Sequence, residues 1–425
     1  MEGASRVMKS FMDLFISHCL AIFVAMSLAD EGRSQGGKSD KWRIDPYTKN
    51  DPAAMEKAGY VRFHPMPFGE QAGVEVSTEK IEEELGDAKV RWVETAHFRI
   101  GSTLPAFLIP ASERKIKLKI EAELERLAKK LPNVNTKVRR LDPWLRLHLY
   151  AMRCEETYAK FMERAGVTEA SFPKEPNTLA PDGKYWGQGP YLGQHGKYLV
   201  LIFEKQSDFS RYLAMFIGKQ QAFAQRWNFK NVGSLIITTS TELEEGRLKH
   251  DTSLHCHVVW NIVHNMISGY RFYSYDLPVW FTEGTAHWWA KEVDEERALD
   301  FDQNESARAD MLNTGIWQPK VRQWLDNKKT RPVSEILGLR DYGQLTKYDH
   351  VKCWSLIDWM MAQGNEKWSK YINSVKGYID PKTGLATASE VLNLQRQGLR
   401  DAYDVSPPML EEKWRAWVLE TYAEK

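Results

Sequence analysis

The sequence has little cysteine and no excess of charge of either sign. Four Cys occur among 425 residues, and none belongs to a CxxC pair of the kind that cysteine zinc sites use. The 58 Lys and Arg nearly balance the 57 Asp and Glu, so nothing in the composition indicates a nucleic-acid partner. A disulfide framework and a cysteine metal site are not predicted either. Cys154 and Cys256, which fall in predicted helices, are expected to be buried free thiols.

Long hydrophobic runs are also scarce. The apolar run from Leu14 to Leu28 is shorter than the roughly 20 residues that cross a bilayer. With Arg6 and Lys9 before it and small residues at its end, it predicts a secretory signal peptide at residues 1–29. An uncleaved anchor is the alternative. Since no second segment is long and apolar enough to span a membrane, we expect a secreted, periplasmic or cell-envelope protein without membrane association beyond its signal.

The rest of the chain divides by pattern into a linker and two regions. Residues 30–75 contain many Gly, Ser and turn residues without a hydrophobic period, which predicts a flexible linker. Residues 76–195 mix strand and helix patterns and are predicted to be an N-terminal α+β region. Residues 196–425 begin with strands and continue with helices. The predicted fold class is α+β, with a small mixed sheet lobe followed by a mainly helical lobe.

Several elements have clear start and stop signals. Asp142 and Gly166 bound a predicted long helix as its N-cap and its C-terminal exit. A strand such as Ser234–Ser240 is expected to end the sheet lobe. A helix follows from about Thr252 to Ser268, and a second one begins near Pro278. These two helices carry the residues that bear on function.

The first of them is apolar around most of its circumference, which predicts that it is buried. Its polar side chains fall in one narrow stripe, beside Trp260. Inside a buried helix such a stripe needs hydrogen-bond partners, a metal ion or a cleft. An ordinary amphipathic helix with its stripe in water is the alternative. The stripe consists of His257, Asn261, His264 and Ser268.

The second helix contains a carboxylate among apolar and small residues. Glu283 lies two turns into "DLPVWFTEGTAHWWAKE". Burial of this side chain is costly unless it is paired or bound to a cation. His287 is four residues further on and therefore lies on the same helix face. Glu283 and His287 are thus candidate metal ligands.

The order of these elements resembles the gluzincin zinc metallopeptidases, the thermolysin and aminopeptidase superfamily, as in secreted bacterial peptidase-like proteins of unknown function. The resemblance rests on "LPVWFTEGTAHWW" after a polar-striped helix and covers residues 195–425 best. The family carries HExxH on one helix and a further Glu ligand on the next. Here HExxH falls on Trp260 to His264, and Glu283 matches the third ligand. The resemblance implies a zincin-like fold for residues 196–425.

Two of the four residues that the chemistry needs are replaced. Trp260 stands at the first zinc His, and an indole does not ligate zinc. Asn261 stands at the general base, and an amide does not take a proton from water near neutral pH. The remnant ligands His264 and Glu283 fall short of the three that catalytic zinc sites have. The resemblance therefore implies a degenerate site with no intact catalytic residue and no cofactor. Tyr348 is a possible cleft residue.

Three functions remain open. The first is a peptidase-like pseudoenzyme that binds peptide or acts as a scaffold, with peptide paired to an edge strand. The second is an active zinc metallohydrolase in which His287 joins His264 and Glu283 as a replacement ligand. The third is a carbohydrate- or envelope-binding protein that uses some of its sixteen Trp as platforms. The predicted cleft residues are His257, Trp260, Trp280 and Trp288.

Overall fold

The computed structural model describes residues 40–175, 178–179, 185–274, 276–300, 315–326, 329–379 and 390–424. The predicted signal at residues 1–29 and the start of the predicted linker lie outside them. The chain forms two units, Met1–Asp45 and Pro46–Lys425. The described residues of the first unit contain a 3-10 turn, Asp40–Arg43. All strands and α-helices below belong to the second.

Strands in the described residues form one five-stranded sheet and two small antiparallel pairs, β1–β2 and β5–β6. The main sheet has the order β3-β4-β7-β9-β8, in which β4, β7 and β9 run parallel and the two outer strands are antiparallel to their neighbours. The strands are β1 (Pro67–Gln71), β2 (Val74–Ser77), β3 (Arg91–Glu94), β4 (Phe98–Ser102), β5 (Phe107–Leu108), β6 (Arg140–Leu141), β7 (Tyr198–Phe203), β8 (Gln225–Phe229) and β9 (Ser234–Ser240).

Two inner strands of the main sheet, β7 and β9, have no solvent-exposed face. Every residue of β7, "YLVLIF", and of β9, "SLIITTS", is buried. Such continuous burial is typical of parallel strands that are covered on both faces. Because β9 lies between β7 and β8, its backbone is paired on both sides. The strand at this outer edge of the sheet is therefore β8.

Helices account for most of the second half of the chain. Those of the described residues are α1 (Pro52–Ala58), α2 (Thr78–Leu85), α3 (Arg114–Ala128), α4 (Pro143–Ala165), α5 (Gln206–Tyr212), α6 (Asp251–Gly269), α7 (Val279–Val293), α8 (Gln318–Asp326), α9 (Val333–Ile336), α10 (Lys347–Ala362), α11 (Asn365–Lys376), α12 (Val391–Tyr403) and α13 (Pro407–Thr421). The sheet region followed by a helical region confirms the coarse fold class, mixed α and β.

Helix α4 and the functional helices confirm their sequence signals. The Asp142 carboxylate accepts hydrogen bonds from the backbone N–H groups of Trp144 and Leu145, and Gly166 ends α4 in the left-handed conformation with φ of 65°. Helix α6 begins and ends within one residue of its predicted bounds, and α7 begins one residue after Pro278.

Helix α7 lies between α6 and α10. A Cβ added at Gly284 would lie 2.5 Å from the carbonyl oxygen of Cys353, so only glycine permits this approach of α7 to α10. On its other side α6 packs on β9, where the Asn265 side chain donates a hydrogen bond to the carbonyl oxygen of Ile236 at 3.0 Å. The sheet thus positions α6, and α6 and α10 together position α7.

Two predicted boundaries differ from the structure. Residues 46–75, predicted as flexible linker, belong to the main unit and contain α1 and β1, with Phe63 and Phe68 buried in the core. These isolated aromatic residues have no period that would reveal their packing. The boundary predicted at residue 195 divides one sheet, because β4 pairs with β7. Strand pairing between segments distant in sequence leaves no local signal.

Two further expectations can be compared directly with the structure. Cys154 and Cys256, together with Cys353, are free and buried, as predicted for the first two. Across the described residues no helix has both the length and the apolar character needed to cross a membrane.

Candidate functional site

Glu283 is the centre of the candidate site. It lies in the second turn of α7, the helix that is enclosed between α6 and α10, and its side chain is completely buried. A carboxylate in such surroundings needs positive or hydrogen-donating partners. Three histidine side chains, one from each of the helices α6, α7 and α10, have a nitrogen atom within 3.1 Å of this carboxylate.

One carboxylate oxygen of Glu283 meets the histidine that the sequence analysis paired with it. Nε2 of His264 lies 3.1 Å from Oε2 of Glu283 in a hydrogen bond. Both side chains are buried, with exposures of 2% and 0%. The structure therefore brings together the two residues predicted as remnant ligands.

The other carboxylate oxygen meets two histidines at once. Oε1 of Glu283 lies 3.0 Å from Nε2 of His287 and 2.9 Å from Nδ1 of His350. The two nitrogen atoms are themselves 3.2 Å apart. Although both contacts to Oε1 have the length of hydrogen bonds, neither has the direction of one. Three potential ligand atoms thus converge on one point within the buried interior.

Burial and charge act in opposite directions on this group. Burial raises the pKa of the Glu283 carboxyl, but its histidine neighbours, His287 foremost, hold it well below its ordinary value. Burial lowers the pKa of His287 despite the attraction of Glu283. An ionised carboxylate beside a neutral imidazole is the protonation state that metal ligands require.

Trp260 lies against this cluster, whereas Asn261 is engaged elsewhere. The Trp260 ring centroid is 4.4 Å from that of His264 and 6.3 Å from that of His287. The Asn261 side chain donates a hydrogen bond to the carbonyl oxygen of His257 at 2.9 Å and accepts one from the Arg226 guanidinium at 3.0 Å. Trp260 therefore fills space beside the imidazoles, and Asn261 belongs to the face toward β8.

His257 belongs to a separate buried group. Its Nδ1 lies 2.7 Å from Oδ1 of Asp300, and its Nε2 lies 3.0 Å from the Thr239 hydroxyl. Glu244 is close enough to complete a third ligand position. However, the Arg247 guanidinium donates hydrogen bonds to both Glu244 and Asp300. In this group the Arg247 guanidinium therefore already balances the negative charge of the carboxylates.

The other predicted cleft residues have different surroundings. Trp280 is completely buried and donates a hydrogen bond to Gln395. Trp288 donates one to Asp358. Tyr348 packs edge-on against Trp324, with ring centroids 4.8 Å apart. These contacts connect the three residues to parts of the described structure other than Glu283 and its histidine partners.

A polar pocket of about 260 Å³ lies between β8 and α6 and includes His264 in its wall. The Arg226 guanidinium lies 4.9 Å from the Trp260 ring centroid, and the Tyr342 ring lies 5.7 Å from that of His264. The candidate site therefore touches a pocket at the outer edge of the sheet. The lining includes Gln225, Arg226, His264, Asn265, Tyr273 and Tyr342.

Sequence reasoning missed His350, Arg226 and Tyr342. In "KYDHVKCW" a signal for His350 exists, because it is a titratable residue inside a largely apolar helix. Tyr348 lies two residues earlier on the same helix and therefore points about 200° away around the axis. The choice of Tyr348 as the residue that faces the site therefore places His350 on the opposite side of the predicted helix. Arg226 has no signal of its own, since its position follows from the pairing of β8 with β9.

Comparison of the chain with protein-family models and with curated proteins gives no match. The family resemblance therefore remains a prediction from the motif, and the functional conclusions below depend on the site itself.

Proposed function

We propose that this chain is an exported metallopeptidase-like protein of gluzincin type that binds an extended polypeptide without hydrolysing it. The observation that carries the proposal is the outer edge of β8 beside the polar pocket. In the described residues no strand pairs with β8 on the side away from β9. An open strand edge next to a pocket supports β-augmentation, in which backbone hydrogen bonds give affinity and the pocket selects a side chain.

The chemistry of the pocket favours a polar or acidic side chain of the bound segment. Arg226 lies on β8 itself and reaches the pocket, while Tyr342 and Gln225 offer further hydrogen-bonding groups. The guanidinium is held by Asn261 and by the Trp260 ring. An arginine fixed in this way recognises a carboxylate or a carbonyl oxygen of the ligand well.

The proposed absence of hydrolysis follows from Asn261. Its carboxamide stands where the family has the general base, and its oxygen accepts a hydrogen bond from Arg226. A carboxamide does not remove a proton from water near neutral pH. Trp260 likewise offers no ligand atom at the position of the first zinc histidine.

The experiment measures binding and cleavage together. Fluorescein-labelled casein, an unfolded polypeptide, is titrated with the purified chain, and anisotropy is followed alongside gel analysis over a day. We expect saturable binding without cleavage, weakened at least about tenfold by Arg226→Ala. The matched control is Arg62→Ala at the opposite edge of the sheet, where Arg62 pairs with Glu94. Equal loss in both variants, or no binding, contradicts the proposal.

A second candidate function is an active metallohydrolase with a relocated ligand. It is favoured by the contact of His264 and His287 with the two oxygens of Glu283. The same gel assay separates the two functions, since casein cleavage that a chelator abolishes supports the hydrolase and rejects the pseudoenzyme.

The carbohydrate platform receives less support. Most of the sixteen Trp side chains are buried, and none is among the exposed large apolar residues. A sugar-binding platform needs an aromatic face that reaches solvent. Export rests on the predicted signal at residues 1–29, and N-terminal sequencing of the mature protein tests it: a chain that begins near Asp30 supports cleavage.

A further inference from the structure

We propose that Glu283, His287 and His350 together hold one divalent transition-metal ion. The inference concerns the interior of the helical region and does not depend on polypeptide binding at β8. It also differs from the ligand set that the motif implies, because only Glu283 is common to both. The motif places its metal ligands on α6 and α7, whereas the three proposed ligands lie on α7 and α10.

The positions of the three ligand atoms carry the inference. Oε1 of Glu283, Nε2 of His287 and Nδ1 of His350 form a nearly equilateral triangle with sides of 3.0, 2.9 and 3.2 Å. Zinc binds nitrogen and oxygen ligands at about 2.0–2.1 Å. An ion at that distance from all three atoms would lie about 1 Å from their plane. The triangle therefore has the size of one face of a tetrahedral or octahedral coordination shell.

Hydrogen bonding does not satisfy the carboxylate oxygen of the triangle. One imidazole nitrogen can donate to the other, but Oε1 of Glu283 receives no well-directed hydrogen bond from either. All three side chains are buried, with exposures of 0%, 1% and 0%, so bulk water does not supply the missing donor. A carboxylate oxygen left in this state is costly. A cation on the triangle supplies the interaction that the neighbours do not.

The ligand types narrow the choice of ion. Two imidazoles and one carboxylate suit zinc, iron, cobalt, nickel or manganese, whereas magnesium and calcium favour oxygen ligands. The group around His257 provides an internal contrast, because ligand atoms of Glu244, His257 and Asp300 also lie within 4.8 Å of one another. There the Arg247 guanidinium contacts both carboxylates. No Lys or Arg is paired with Glu283 in the described residues.

His264 has a different role in this arrangement. It contacts Oε2 of Glu283, the oxygen that faces away from the other two imidazoles. A hydrogen bond to the outer oxygen of a ligating carboxylate fixes its orientation and strengthens metal binding. His264 is therefore a residue that positions the Glu283 carboxylate, whereas in the motif His264 and Glu283 would both bind the metal directly.

The test is a zinc titration of the full chain. The purified protein is stripped with a chelator, and Zn²⁺ alone is added in competition with a chromophoric indicator. We expect about one tightly bound Zn²⁺ per chain. His350→Gln and His287→Gln should abolish tight binding, while His264→Gln should weaken it by about 10–100-fold.

The matched control is His148→Gln, which removes another completely buried imidazole, one that lies on α4 and contacts Tyr60. It should leave zinc affinity unchanged. Circular dichroism of every variant separates loss of binding from loss of folding. If a ligand variant fails to fold, X-ray absorption spectroscopy of the zinc-loaded wild type tests the ligand set instead. We expect nitrogen and oxygen ligands at about 2.0–2.1 Å from the zinc.

Three results would overturn the inference. The first is a wild-type chain that binds no Zn²⁺, Fe²⁺, Co²⁺, Ni²⁺ or Mn²⁺ at micromolar concentration, which would make the cluster a hydrogen-bonded network. The second is His264→Gln losing zinc as completely as His350→Gln does, which would restore the motif's ligand set. The third is an absorption spectrum dominated by sulfur ligands.

Discussion

Two buried carboxylates in this molecule are neutralised in different ways. Asp251, the first residue of α6, accepts hydrogen bonds from the guanidinium groups of Arg146 at 3.0 Å and Arg153 at 2.9 Å. Among the described residues, the charged or titratable groups at these distances from Glu283, on the next helix, are three imidazoles. Arginine carries a permanent charge in a fixed geometry, whereas neutral imidazole offers a lone pair. The first arrangement is complete by itself, and the second is suited to receive an ion.

The comparison separates a structural cluster from a candidate site. At Asp251 both carboxylate oxygens have directed donors, and Arg153 also pairs with Glu123. At Glu283 one oxygen has two close nitrogen atoms and no directed hydrogen bond. Burial and proximity alone do not distinguish the clusters. The chemical identity of the neighbouring side chains, guanidinium cations or imidazoles, does distinguish them.

The largest expected effect is on stability at the arginine cluster. Asp251→Asn removes the negative charge between two buried guanidinium groups and should lower the free energy of unfolding by about 3–5 kcal/mol. Chemical denaturation followed by circular dichroism measures it. The matched control is Glu156→Gln, whose partner Arg126 is half exposed, as is Glu156 itself. Glu156→Gln should lower the free energy of unfolding by about 0–1 kcal/mol. Similar losses in both would mean that the Asp251 cluster contributes no more than a surface pair.

The next effect concerns the response of stability to metal. Zinc at about 100 times its dissociation constant should raise the free energy of unfolding by about 2.7 kcal/mol. Asp251→Asn should keep this increment although it is less stable, because its cluster is separate. His350→Gln should lose the increment. Differential scanning calorimetry with and without Zn²⁺ measures both, and an increment that persists in His350→Gln would place the ion elsewhere.

Acid should act on the arginine cluster through Asp251. Burial raises the pKa of Asp251, but Arg153 and Arg146 outweigh it and hold the pKa below its ordinary value. The stabilisation is therefore complete above the unfolded-state pKa of about 3.9 and is lost as the pH falls through the folded value. The difference in unfolding free energy between wild type and Asp251→Asn should shrink from pH 7 toward pH 3. A difference that grows in acid would contradict the assignment.

The smallest effect concerns the side of the site that faces β8. Trp260→Phe keeps an aromatic ring under Arg226 but reduces the cation–π contact, which lies 4.9 Å from the ring centroid. We expect a loss of about 0.5–1 kcal/mol in casein-binding free energy and unchanged zinc affinity. Anisotropy and the zinc titration measure the two quantities on the same samples. A loss of zinc affinity equal to that of His350→Gln would show that Trp260 is part of the metal shell.

The sequence predicts local features of this molecule better than distant ones. Asp142 and Gly166 bound α4 as their chemistry requires, and the i, i+4 spacing of Glu283 and His287 predicts their contact. The approach of His264 to Glu283 agrees with what the resemblance to the gluzincins predicts. His350 lies 67 residues after Glu283 (350 − 283 = 67), and its contact depends on the packing of α10. Neither spacing nor periodicity contains that information.

The same limit explains the differences in domain boundaries. Residues 46–75 contain turn signals throughout, yet Phe63 and Phe68 are buried in the main unit. Their partners come from segments that no local pattern connects to them, such as Trp144 for Phe63 and Trp92 for Phe68. Whether such a segment is part of a folded unit depends on its long-range packing. Its composition indicates only how flexible the backbone would be without that packing.

The most direct measurement of the central claim is the metal content of the wild-type chain beside His350→Gln, both folded by circular dichroism and both exposed to equal Zn²⁺ before dialysis. Two imidazoles and one carboxylate around a common point predict about one zinc per wild-type chain and almost none in the variant. Equal zinc in the two proteins, or none in the wild type, would contradict that claim.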